Sequence, residues 1–134
     1  MTYHTIIIVG NLGNDPEMRY TASGTAVTNF NLATNRIYSD SEGNQVKETT
    51  WFRVSVWGKQ AENSNQYLRK GSQVLVEGRM NTDLETGGPR VFTRQDGTSG
   101  ASYEVTANTV RFLTGRGEGG EYQVKEGTEE DIPF

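Results

Sequence analysis

The chain has 134 residues, no cysteine, 16 glycines and a hydrophobic fraction of 33%, which is enough for one domain with a core and too little for two. Disulfide staples, thiolate catalysis and cysteine-based zinc sites are excluded, the lack of disulfides suits a reducing compartment, and the low apolar content implies that part of the chain lies outside the core. The net charge of −4 is uneven: residues 117–134 hold six acids and one base, the remainder eleven acids and twelve bases, so the body is near neutral and the acidity belongs to a separate tail.

The N-terminus, MTYHTIIIVGN, lacks a basic leader with a long apolar run, and Ile6 to Val9 is far too short to span a bilayer. A soluble, non-secreted protein is expected. The first strand is predicted over Tyr3 to Leu12. Its consecutive Ile6, Ile7, Ile8 and Val9 are the pattern of a strand buried on both faces, with a second subunit as the simplest cover for the outer one. The following GNLGNDPEMRY is turn chemistry rather than a dinucleotide fingerprint, which needs GxGxxG opening a helix.

A second strand spans about Ala26 to Ser39. Phe30 and Leu32 share parity and Val27 does not, which predicts a bulge near Thr28 or Asn29; Arg36 and Tyr38 continue the Phe30 parity. DSEGNQ (Asp40 to Gln45) reads as a hairpin loop. The third strand, Thr49 to Gly58 (TTWFRVSVWG), carries the main signal. Alternation puts Phe52, Val54 and Val56 on a core face and Trp51, Arg53, Ser55 and Trp57 on the other. The two indoles stand about 20 Å apart at about 3.3 Å per residue, with an arginine between them. Tryptophan is highly buried on average, so core burial of both rings competes with a stacking role.

KQAENSNQYLRKG reads as one helix of two or three turns, with Ala61, Asn65 and Leu68 on one side and Gly71 as its stop. The fourth strand covers Gln73 to Leu84, with Val74 and Val76 inward and Gly78 at a bend. Glu85 to Gly100 is a turn-rich arm, and Ala101 to Phe112 the fifth strand. The resulting class is all-β: a five-stranded Greek-key OB-fold barrel with one short helix between strands three and four, over residues 1–114. Residues 115–134 are expected to form a disordered acidic tail.

The segments VGNLGNDPEMRY, AVTNFNLAT, WFRVSVWGKQAE, YLRKGSQVLVEG and the terminal DIPF closely resemble the bacterial-type single-stranded DNA-binding proteins, from about Thr5 to Phe112 and over the last six residues. The resemblance implies a homotetramer that coats single-stranded DNA without strong sequence preference, needs no cofactor, and works in the cytoplasm at the nucleoid. It implies base stacking at Tyr38, Trp51 and Trp57, a DNA path along Arg53, Lys59, Arg69 and Lys70, and docking of replication, repair and recombination proteins on Glu129, Glu130, Asp131, Ile132, Pro133 and Phe134. One departure stands out. Where the family commonly continues after VEG with basic residues and a stacking Trp, this chain has RMNTDLE. Arg90, Phe92 and Arg94 alternate at strand spacing and could supply a displaced aromatic with two charges; the alternative is a loop tip with no fixed face. With so weakly basic a body, stacking should carry a large share of binding and the salt dependence should be shallow.

An enzyme is the contrasting class. His4 is the only histidine, and no Ser or carboxylate partner can be assigned to it, so a strand-edge or interface role is expected. No H-x-x-x-H, HExxH or carboxylate cluster lies on the body, and the acidic tail reads as solvated rather than metal-binding. A third class keeps the fold and places Trp51 and Trp57 on a protein or oligosaccharide.

Overall fold

The computed structural model describes residues 1–113; the expected tail and its docking tip lie outside the described residues. In chain order the elements are β1 (Ile6–Leu12), β2 (Glu17–Tyr20), β3 (Ala26–Ser39), β4 (Gln45–Trp57), α1 (Lys59–Tyr67), β5 (Gln73–Asn81), β6 (Arg90–Thr93) and β7 (Ser99–Phe112). Neighbouring strands run β1-β5-β7-β4-β3, and β3 pairs back with β1 through Asn11↔Ala33 and Leu12↔Leu32. Five strands therefore close into the OB barrel, with β4 and β7 parallel and α1 between the third and fourth barrel strands. β2 extends the edge of β3 beyond β1, and β6 forms a hairpin with β7.

Alternation fills the barrel. Phe30, Leu32, Val54, Val56, Val74, Val76 and Val105 are fully buried with Ile8 and Leu12 in one cluster, each such side chain contributing roughly 1.5–3 kcal/mol. α1 packs against β3 and β4 and turns Ala61 and Ser64 inward, a helical i, i+3 pair, and Leu68, just past its end, is buried with them. The buried Thr28 hydroxyl donates to the Ala61 carbonyl at 2.7 Å, which ties the helix to β3.

Several expectations are corrected. No bulge occurs at Thr28 or Asn29, because β3 keeps continuous register with both β2 and β4 there. Val27 breaks parity because it faces outward, between Arg19 and Trp57 in the ladder, and is buried in that position. The irregularity falls instead between Glu77 and Gly78, where a Cβ on Gly78 would meet the Thr106 carbonyl carbon at 2.9 Å, so β5 can cross β7 only without a side chain. Within one chain the outer face of β1 is open to a cover from outside it: Ile8 is interior, whereas Ile7 is 62% exposed. Asn65 is exposed and Ser64 takes the inward position. The helix ends before Gly71, with Leu68 already extended.

β5 stops at Asn81 rather than Leu84. Asp83 Oδ1 accepts the backbone N–H groups of Glu85 and Thr86 at 2.8 and 3.2 Å, an Asx turn that leads the chain out of the sheet. The arm that follows is itself a hairpin. Its turn, Arg94 to Thr98, uses the same pair of backbone bonds as the Asp40 to Asn44 turn, with Gly97 and Gly43 at φ 91° and 85°, the left-handed region that favours glycine.

Candidate nucleic-acid interface

On the outward face of β4, Trp51 and Trp57 are 53% and 46% exposed. The ladder explains why neither is covered. Across from Trp51, Arg53, Ser55 and Trp57 stand Ala33, Asn31, Asn29 and Val27 of β3, all smaller than an indole. Ser55 Oγ donates to Asn29 Oδ1 at 2.7 Å, filling the floor between the rings with a satisfied polar pair. Among the described residues the Arg53 guanidinium has no hydrogen-bond or ion-pair partner, so its five donors remain available.

Trp51 rests on the turn after β1. A Cβ on Gly13 would lie 2.6 Å from Trp51 Cη2 and closer still to Cζ3, so the bare glycine backbone is the seat of the ring. That turn is fixed to β3: the Gly13 N–H donates to the Asn31 carbonyl and the Asn31 N–H to Asn14 Oδ1, both at 2.9 Å. It is also fixed to the loop after α1, where the Lys70 N–H donates to Asp15 Oδ1 at 2.8 Å. Exposed Arg69 and Lys70 are thereby tethered to the turn that carries Trp51. Lys59 opens α1 two residues after Trp57, with its Nζ 3.8 Å from Glu62.

The β6–β7 hairpin closes the other side. In its ladder Arg90 faces Ser102 and Phe92 faces Gly100, and a Cβ on Gly100 would lie 2.8 Å from Phe92 Cε1; the phenyl ring covers the glycine across the strand pair. Arg94 stacks on that ring at 5.5 Å and donates to the Ser99 carbonyl at 2.6 Å. Trp51, Arg53 and Phe92 line one open groove of about 420 Å³, with Ser102 and Glu104 on the β7 side. Asp96 in the hairpin turn has its carboxyl held below the ordinary range, first by the Thr98 backbone N–H and then by the Thr98 hydroxyl.

Tyr38 is not brought into this groove. It pairs with Val46 near the far end of the β3–β4 hairpin, on the Phe30 parity and hence the opposite pleat face from Trp51. The Arg36 guanidinium covers its ring at 4.4 Å and is bonded to Glu48 at 2.9 Å. His4 Nε2 accepts the Met80 N–H at 3.2 Å, which gives it a strand-edge role. Among the described residues no cluster of three or more His, Asp or Glu could hold a metal, and no helix is long and apolar enough to cross a membrane.

The model of the single-strand binding protein family matches residues 3–113, the whole barrel with its arm. The chain belongs to this family. Relatives in the single-strand binding protein family include the single-stranded DNA-binding protein of Xanthomonas campestris pv. campestris, 48% identical over 85% of this chain and 62% of that protein. The protein of the same name from Xanthomonas axonopodis pv. citri is 47% identical, over 85% of this chain and 59% of its own length. The chain thus spans about three fifths of the length of these relatives. Among solved structures, a deletion mutant of the single-stranded DNA binding protein from Thermus aquaticus superposes with a TM-score of 0.64 at 31% identity, covering 84% of this chain and 51% of that one.

Two residues around the groove of this family member, Gly13 beneath Trp51 and Glu104 in the lining, escaped sequence reasoning. Gly13 reads locally as turn punctuation, and its contact with Trp51 is non-local. Glu104 reads as one polar position in the last strand. Only the parallel β4–β7 register, Arg53↔Glu104, brings it to the groove.

Proposed function

We propose that this chain binds single-stranded DNA with little sequence preference, stacking bases on Trp51, Trp57 and Phe92 and meeting phosphates with Arg53, Lys59, Arg69, Lys70, Arg90 and Arg94. The observation that carries the reading is that Trp51, Arg53 and Phe92, from strands far apart in sequence, line one groove while Trp57 continues the same exposed face. A groove of aromatics with interleaved cations is the combination that tracks a single strand, since every base has a π face and every phosphate a charge. Family membership and the names of the relatives point the same way. Tyr38, on the extended hairpin, serves a strand that has left the groove.

The same reading divides the chain into a binding domain over residues 1–114 and a tail over 115–134 whose tip, Glu129 to Phe134, recruits replication, repair and recombination proteins. Two apolar residues and a terminal carboxylate behind three acids suit a pocket with a basic rim. Four copies assemble, and the exposed Ile7 on the outer face of β1 belongs to the surface they cover. The protein acts in the cytoplasm at the nucleoid. Fluorescence titration tests the core of this reading: single-stranded oligonucleotide of mixed sequence quenches tryptophan emission strongly and duplex DNA of the same sequence does not. Equal quenching by both contradicts it. Removing residues 115–134 leaves that titration unchanged and abolishes partner capture; weakened DNA binding by the shortened chain contradicts the division.

A further inference from the structure

The groove contains an acid where a strand of phosphates would be expected to meet only cations. Glu104 stands beside Arg53 in the β4–β7 ladder and lines the groove with Trp51 and Phe92. It is held in place: Ser102 Oγ donates to Oε2 at 3.1 Å and Arg90 Nε lies 3.8 Å from Oε1. Its side chain is only 25% exposed. A carboxylate accepts at about four lone-pair positions, so these two contacts leave acceptor capacity facing the groove, and the neighbouring Arg90 offsets its charge.

We propose that Glu104 is a base-reading residue, making the slot between Trp51 and Phe92 favour a base with an exocyclic amino group, such as cytosine, over thymine or uracil. The inference rests on the single-stranded DNA reading and deepens it. A base stacked in the slot turns its edge toward the β7 wall. Cytosine presents N4–H₂ there, a donor that a carboxylate accepts. Thymine and uracil offer only N3–H, a donor set between O4 and O2, so a carboxylate that reaches it meets an acceptor on either side and is less well partnered. Stacking on the two rings stays indifferent to the base, so the preference is confined to one slot and is modest over a long strand.

The test uses the full chain and oligomers of deoxycytidine and deoxyuridine of equal length, which differ on the base only at position 4 and in the N3 proton. The wild type binds the deoxycytidine oligomer tighter by about three- to thirtyfold, the range of one hydrogen bond to a charged group partly met by solvent. In Glu104→Gln, whose amide both accepts and donates, and in Glu104→Ala, the ratio falls to about one. Thermal melting of each variant establishes that it is folded. A wild-type ratio of one overturns the proposal. So does an equal gain in affinity for both oligomers in Glu104→Gln, which would make Glu104 only a repeller of phosphates. If the wild type binds neither oligomer, the single-stranded DNA reading itself falls, an outcome distinct from loss of base preference.

Discussion

Gly13→Ala separates fold from function at a single atom. Gly13 is not in the left-handed region, so alanine suits its backbone, and removing a glycine from the unfolded ensemble is worth about 0.4–1 kcal/mol in favour of the folded state. The added methyl has nowhere to go except into Trp51, 2.6 Å from Cη2, when an ordinary carbon contact is about 3.5–4.0 Å. The ring must therefore move by about 1 Å or rotate away. It is half exposed and can swing at little cost to stability. A stacked base is worth about 1 to 3 kcal/mol, so losing the stack raises Kd by about 5- to 150-fold, and a ring that keeps partial contact gives the lower end. Paired measurements of thermal melting and fluorescence-monitored affinity for a mixed-sequence oligonucleotide check this. The expected result is an unchanged or slightly higher Tm with weakened binding. Unchanged affinity together with unchanged tryptophan emission would refute the claim that Gly13 sets the ring.

Phe92→Ala tests the arm. If the β6–β7 hairpin supplies a stacking ring, affinity falls by about fivefold or more while the barrel melts as before, and an unaltered Kd removes the arm from the interface. The turn that carries Phe92 should respond to acid. Asp96 has its folded pKa depressed by the Thr98 N–H and hydroxyl, so its contribution is fully present above the ordinary carboxylate pKa and is lost as pH falls through the lower folded value. Amide exchange at Thr98 should therefore accelerate relative to the barrel strands only in acid, and a flat profile across that range contradicts the assignment. Replacing Tyr38 by alanine should weaken long oligonucleotides more than short ones that fill only the groove, since Tyr38 lies off the Trp51 face; an equal loss for both lengths would place it in the groove.

What could be read from the sequence divides by range. The Trp51–Trp57 face and its core stripe followed from two-residue periodicity, a property of four or five neighbouring residues, and the structure keeps both. The barrel order followed from six segments in sequence. The structure also keeps the alternation of Arg90 and Phe92, and the turn-rich arm is a second hairpin, legible in RQDGT, which carries the same glycine-containing turn as DSEGN. The bulge was misplaced because a parity break at Val27 has two causes, an extra residue or burial on the outer face, and only the positions of Arg19 and Trp57 across the ladder choose between them. Gly13 beneath Trp51 and Glu104 beside Arg53 depend on non-local register. No local pattern encodes either contact.

The proposed stacking on Trp51 and Trp57 is tested most directly by the Trp51→Ala/Trp57→Ala double variant. The rings are about 20 Å apart along β4, far enough for their losses to add. The expected result is a correctly folded barrel whose affinity for single-stranded DNA, measured by competition against labelled oligonucleotide, is weaker by about thirtyfold or more, two stacks at about 1 kcal/mol or above each. A double variant that binds as tightly as the wild type would contradict it.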